Sequence, residues 1–174
     1  MKKLNLTLTL SLLVILFSCT TRETENKEAD IAAINAFIND YIRHAENEDI
    51  DSFMTSFTDD AKRSEPGFPT IIGKENIRAS FKGIFDAGDN KIIPYGEPEV
   101  DVWNDLAYRY TTVTLQTKPK DLDTLIYTDM KVLTILQRQD DGSWKIYIDC
   151  INFHPTLSKE SVDSELLDEP NPYY

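Results

Sequence analysis

Cysteine, histidine, glycine and positive charge are all scarce in this 174-residue chain. Its two cysteines are Cys19 and Cys150, and its two histidines are His44 and His154. They form no ligand-spaced cluster, which argues against a structural metal site. With 6 glycines the chain offers neither a Gly-x-Ser-x-Gly elbow nor a phosphate-cradling loop. Lys and Arg number 18 against 30 acidic residues, for a net charge of -12. Nucleic acid and anionic lipid surfaces would be repelled by such a body. The acidic group Glu46, Glu48, Asp49 and Asp51 lacks the loop pattern and glycine of a calcium site and is read as caps and solvated surface. Long apolar runs are also missing, because the stretch from Leu4 to Phe17 is too short and too rich in Thr and Ser to span a membrane.

That stretch follows Lys2 and Lys3 and ends Leu16-Phe17-Ser18-Cys19, the layout of a secretory signal. A cysteine directly after the small residue resembles the signal of bacterial lipoproteins, with Leu16, Ser18 and Cys19 on pattern and Phe17 a less usual occupant. The resemblance implies removal of residues 1–18 and lipidation of Cys19, with several acyl chains as a stable anchor. An ordinary secretory peptide with a chance cysteine is the alternative. Removal takes away Lys2 and Lys3 and no acid, moving the net charge from -12 to -14. Thr20 supplies no acidic retention signal, which favours the outer membrane of a two-membrane bacterium. No internal disulfide is then possible, and Cys150 is expected to be buried as a small apolar residue.

The rest divides into a polar tether (19–28), one domain (29–154) and an acidic tail (155–174). Ile31, Ile34, Ile38, Tyr41 and Ala45 recur at helical spacing. Asp49 can cap a short second helix whose apolar face is Ile50, Phe53, Met54 and Phe57. Thr58-Asp59-Asp60 breaks the pattern before a short strand over 61–65, and Pro66, Gly67 and Pro69 form a loop. A third helix follows Gly73 and stops at Gly88. The period then switches to two, and 92–103, 105–118, 124–138 and 143–153 read as strands. Helices first and antiparallel strands after them point to an α+β layer.

This order, with Glu48-Asp49-Ile50-Asp51, Phe57-Thr58-Asp59-Asp60-Ala61, Pro66-Gly67 and Ile72 through Ile77, resembles the nuclear transport factor 2-like superfamily. Ketosteroid isomerase and the SnoaL-like polyketide cyclases are among its members. The resemblance implies a cone: a curved antiparallel sheet wraps about three N-terminal helices, a cystatin-like roll with a deep pocket. Relatives often dimerise through the outer sheet face, so a homodimer is expected.

Matched to ketosteroid isomerase, Tyr41 takes the place of the first-helix tyrosine, Glu65 before Pro66 that of the base, and Asp129 that of the second oxyanion donor. Such a trio would move a proton beside a carbonyl and hold the enolate oxygen. Glu65 departs from the pattern by one methylene. Competing readings are a core tyrosine at 41, an ion pair of Glu65 with Lys62 or Arg63, and a solvated strand-start aspartate at 129. An epoxide-hydrolase-like Asp-Arg-Asp arrangement has a candidate arginine in Arg109 but no aspartates that the sequence places around it. Trp103, Tyr108, Tyr110 and Trp144 are candidate cavity aromatics, with sheet core and dimer interface as the alternatives. On the last strand, Trp144, Ile146, Ile148, Cys150 and Asn152 should face the helices, with Asn152 as a polar anchor at the rim. Tyr147, Asp149, Ile151 and Phe153 should then face outward. No cofactor is implied. The favoured reading is a lipid-anchored envelope protein that binds a small apolar molecule. An isomerase or cyclase, and a ligand-free interaction module, are the alternatives.

Overall fold

A computed structural model describes residues 27–154. The expected signal segment, the expected lipid site Cys19 and the acidic tail lie outside the described residues. Helix α1 covers 27–46, and its apolar stripe buries Ile34, Ile38 and Ala45. A turn at Glu48, in left-handed backbone, leads into α2 (Ile50–Met54). Asp49 caps α2 as its position suggests, with its carboxylate accepting from the Ser52 N–H at 3.2 Å. Strands β1 (Phe57–Ser64) and β2 (Ile71–Ile72) precede α3 (Lys74–Ala87). Four strands close the described chain: β3 (Gly88–Trp103), β4 (Leu106–Pro119), β5 (Ile126–Arg138) and β6 (Trp144–His154).

The strands form one curved sheet in the order β2-β1-β6-β5-β4-β3. β3 to β6 are sequential antiparallel neighbours, as their period-two pattern suggests. β1, however, pairs parallel with β6, so the sheet is mixed rather than wholly antiparallel. A parallel pair needs a long crossover, and here α3 and four strands intervene. The break at Thr58-Asp59-Asp60 is an irregularity within β1, where pairing with β6 shifts between Phe57 and Lys62. Pro94 and Pro98 fall on β3, an edge strand, where a missing N–H donor is tolerated.

Two clusters fill the interior between helices and sheet. Phe53, Phe57, Phe81 and Phe85 interlock with ring centroids 4.5–6.1 Å apart. Ile34, Ile38, Ala107, Leu136 and Trp144 pack at the other end. Burying each large side chain stabilises the fold by about 1.5–3 kcal/mol.

One bulge decides what faces the interior. Ile135 pairs with Ile148 and Leu136 with Ile146, so Tyr147 is an extra residue in β6. Trp144 and Ile146 point inward before it. After it the inward set is Asp149, Ile151 and Phe153. This reverses the expectation for the second half of the strand. Cys150 is exposed rather than buried, and Asp149 is buried rather than outward.

Candidate functional site: a cavity crossed by a polar row

Between α1, α3 and the concave sheet lies a cavity of about 350 Å³. α1 contributes Ile38, Tyr41, Ile42 and Ala45, one face at helical spacing. The sheet lines it with Val113, Leu115, Met130, Val132 and Ile151, alternate residues of their strands. The walls are therefore mainly aliphatic.

A band of polar side chains crosses this surface. Arg109 pairs with Thr134, Thr134 with Asp149, and Asp149 with Arg63, so four neighbouring strands each add one residue to the same row. All four are buried and line the cavity. Glu65 joins them from the segment just after β1.

Arg63 is the hub. It donates from Nη2 to Glu65 Oε2 at 3.1 Å and from Nη1 to Ser80 Oγ at 3.5 Å. Its Nε lies 3.8 Å from Asp149 Oδ2, an ion pair without a hydrogen bond. The guanidinium also rests 4.3 Å from the centroid of the Phe81 ring. Burial pushes the Asp149 carboxyl above the usual aspartate range, against the opposing pull of Arg63 and Thr134. Burial likewise drives the Tyr41 hydroxyl far upward, and the Asp149 charge adds to that, so Tyr41 stays protonated. Its ring stacks on Phe53 at 4.7 Å.

The trio matched to ketosteroid isomerase is brought together only in part. Tyr41 and Glu65 both line the cavity, and Glu65 carries the ion pair with Arg63 that the sequence offered as its alternative. Asp129 does not join them. It precedes the inward-facing Met130 and accepts from Thr114 Oγ1 at 2.7 Å on the opposite face of the sheet.

None of the four residues expected to bind the ligand lines the cavity. Trp103 is 55% exposed and stacks on Tyr108 at 5.4 Å. Tyr110 alternates with the inward Arg109 and Thr111 and so faces out. Trp144 is a core residue under Arg138, whose guanidinium lies 4.3 Å from its centroid. Asn152 is turned outward by the bulge. The residues that do meet the cavity, Asp149, Thr134 and Thr111, carried no motif. Their one sequence signal is a polar residue where strand alternation continues an apolar face. Among the described residues, no three of His, Cys, Asp and Glu gather to hold a metal ion.

Comparisons with known proteins agree with this architecture. A ketosteroid isomerase-like protein from Erwinia carotovora atroseptica superposes with a TM-score of 0.61 at 22% identity, over 70% of this chain and 94% of that one. A conserved protein from Planctomyces limnophilus gives 0.66 at 19%, over 74% and 98%. A cystatin-like protein of unknown function from Nostoc punctiforme gives 0.62 at 17%, over 74% and 94%. At these identities the likeness concerns the fold. No curated protein matches the chain at a significant level. Residues 34–148 match the SnoaL-like domain, a span that holds most of α1, both other helices and Arg63, Arg109 and Thr134 of the polar row, with Asp149 one residue beyond it, and the chain belongs to that family of the nuclear transport factor 2-like superfamily.

Proposed function

We propose that this protein binds a small, largely apolar molecule in the cavity, oriented by a polar group set against the row from Arg63 to Arg109. The observation that carries the reading is the cavity itself, about 350 Å³ with aliphatic walls and a few convergent polar side chains. Specific small-molecule sites have this size and chemistry. The reading extends to the cell envelope, with Cys19 as lipid anchor, on the strength of the Leu16-Phe17-Ser18-Cys19 pattern. It also takes the domain as a homodimer through the outer sheet face, where Trp103, Tyr110 and Leu133 stand exposed. Native mass spectrometry of the domain from its own host tests both points. It should report a dimer carrying one small molecule per chain. An empty domain that also fails to bind 1-decanol would overturn the binding reading.

A second reading, proton transfer beside a carbonyl, rests on one observation. Asp149 is buried in an apolar cavity with its pKa raised, near a protonated Tyr41. A carboxyl so tuned suits general acid–base work, and a tyrosine hydroxyl suits a developing enolate oxygen. Asp149, not Asp129, is then the carboxyl that accompanies Tyr41. Solvent deuterium incorporation beside the carbonyl of a bound ketone, abolished in Asp149→Asn, is its expected signature.

A further inference from the structure

Arg109 and Thr111 stand two residues apart on the cavity face of β4, 8% and 5% exposed. Arg109 Nε and Thr111 Oγ1 are both fully buried, and neither has a hydrogen-bond partner. Native interiors rarely leave such groups unmatched, so each calls for a reason. Arg63 makes the contrast plain, being held by Glu65 and Asp149. Arg109 forms no ion pair among the described residues. Its strand neighbours in the row are Val100 and Thr134, neither of them acidic. Asp149 is two strands away, about 10 Å at the usual strand spacing. Burial draws the Arg109 pKa down, and no nearby carboxylate opposes it. A guanidinium stays charged even so. The cavity thus carries one buried positive charge that the described protein leaves uncompensated.

We infer that Arg109, with Thr111 beside it, binds the carboxylate of an otherwise apolar ligand. This deepens the cavity reading and rests on it. The planar guanidinium fork matches a carboxylate in two parallel hydrogen bonds, and the Thr111 hydroxyl can donate to it as well. The apolar body of the ligand then lies against Val113, Met130 and Val132. One unpaired cation suits a monoanion. A polyphosphate would need more positive charge than this wall supplies, and the net charge of -12 would repel it. The same repulsion is several times weaker for a single charge, because the energy scales with the charge of the ligand.

The test compares decanoate with 1-decanol by calorimetric titration at neutral pH. The pair shares a body that fits the cavity and differs in the charged head. Decanoate should bind about tenfold or more tightly than 1-decanol, as expected when a charge-assisted pair replaces a neutral one. In Arg109→Gln that preference should fall to near parity, with Arg109→Lys between the two. Folding gives an independent readout. Removing an unpaired buried charge relieves a cost, so ligand-free Arg109→Met should melt above the wild type. Decanoate should raise the melting temperature of the wild type more than 1-decanol does, and that difference should vanish in Arg109→Met. Equal binding of acid and alcohol by the wild type, or an undiminished preference in Arg109→Gln, would overturn the inference and leave the cavity reading standing. If neither probe binds and the domain from its own host is empty, both fall; if neither binds a domain that carries a neutral native ligand, the inference alone falls.

Discussion

Arg63 and Asp149 are register partners across the parallel junction of β1 and β6, and their charged groups approach to 3.8 Å inside the cavity. Two distant stretches of chain, one before α3 and one after β5, meet there. The row of polar residues across the sheet grows from that meeting, and the predictions below probe it and its supports.

Asp149 makes stability depend on pH. Its folded pKa is raised above the ordinary value of 3.8, so the folded chain holds this proton more tightly than the unfolded chain does. The stabilisation is full below that ordinary value and is lost as pH rises through the raised one. The wild type should therefore lose melting temperature relative to Asp149→Asn as pH rises above the ordinary aspartate value. Calorimetric scans of both proteins across that range decide it, and parallel curves would sink the assignment.

Tyr41 separates packing from chemistry. Its ring stacks on Phe53 and lies 6.0 Å from Phe57, while its hydroxyl lies within reach of the Asp149 and Arg63 charges. Tyr41→Phe keeps the ring, and urea denaturation should find a change within about 1 kcal/mol. Tyr41→Ala opens a void and should cost about 3–5 kcal/mol. Any ketone turnover should fall in the Phe variant, because only the hydroxyl is gone.

Val132 lies on the cavity wall in the middle of the sheet. Val132→Phe should fill part of the void and weaken 1-decanol binding about tenfold. Its melting temperature should hold or rise, since filling a cavity commonly stabilises. A large loss of stability would mean that the space is not empty.

Arg138 ties the start of α1 to the β5–β6 hairpin. It forms two hydrogen bonds to Asp30, at 2.8 and 2.6 Å, and covers the Trp144 ring. Bidentate geometry and ring stacking make it stronger than an ordinary surface pair. Arg138→Ala should cost about 1–2 kcal/mol, and a double-mutant cycle with Asp30→Ala should show coupling of about 0.5–1 kcal/mol.

Gly88 is where α3 passes directly into β3. A Cβ there would lie 2.6 Å from the carbonyl oxygen of Lys118 on β4. Gly88→Ala should then destabilise by about 1–3 kcal/mol, because the opposing atom is backbone and cannot swing aside. Denaturant titration measures it. A neutral result would show that the helix-to-strand corner can relax.

By itself the sequence determined the three helices, the four long strands and their order, whereas β2 at Ile71–Ile72 and the start of β1 at Phe57 escaped it. The spacing of Ile34, Ile38, Tyr41 and Ala45 marks α1, Asp49 marks the start of α2, and Gly73 and Gly88 bracket α3. These signals are local, since helical period, caps and strand alternation act over a few residues. The quoted motifs likewise carried the family and, with it, a curved sheet over helices. Tertiary structure alone decided which residues meet the cavity. One extra residue at Tyr147 shifts β6 by a single step, and a single step exchanges the two faces of a strand. That exchange brings Asp149 inside and turns Cys150 and Asn152 out. The row from Arg109 to Arg63 is likewise a matter of register, set by how four strands align and not by any stretch of chain. A bulge costs little locally and answers to the packing of the whole sheet, so the chain's own periodicity does not announce it.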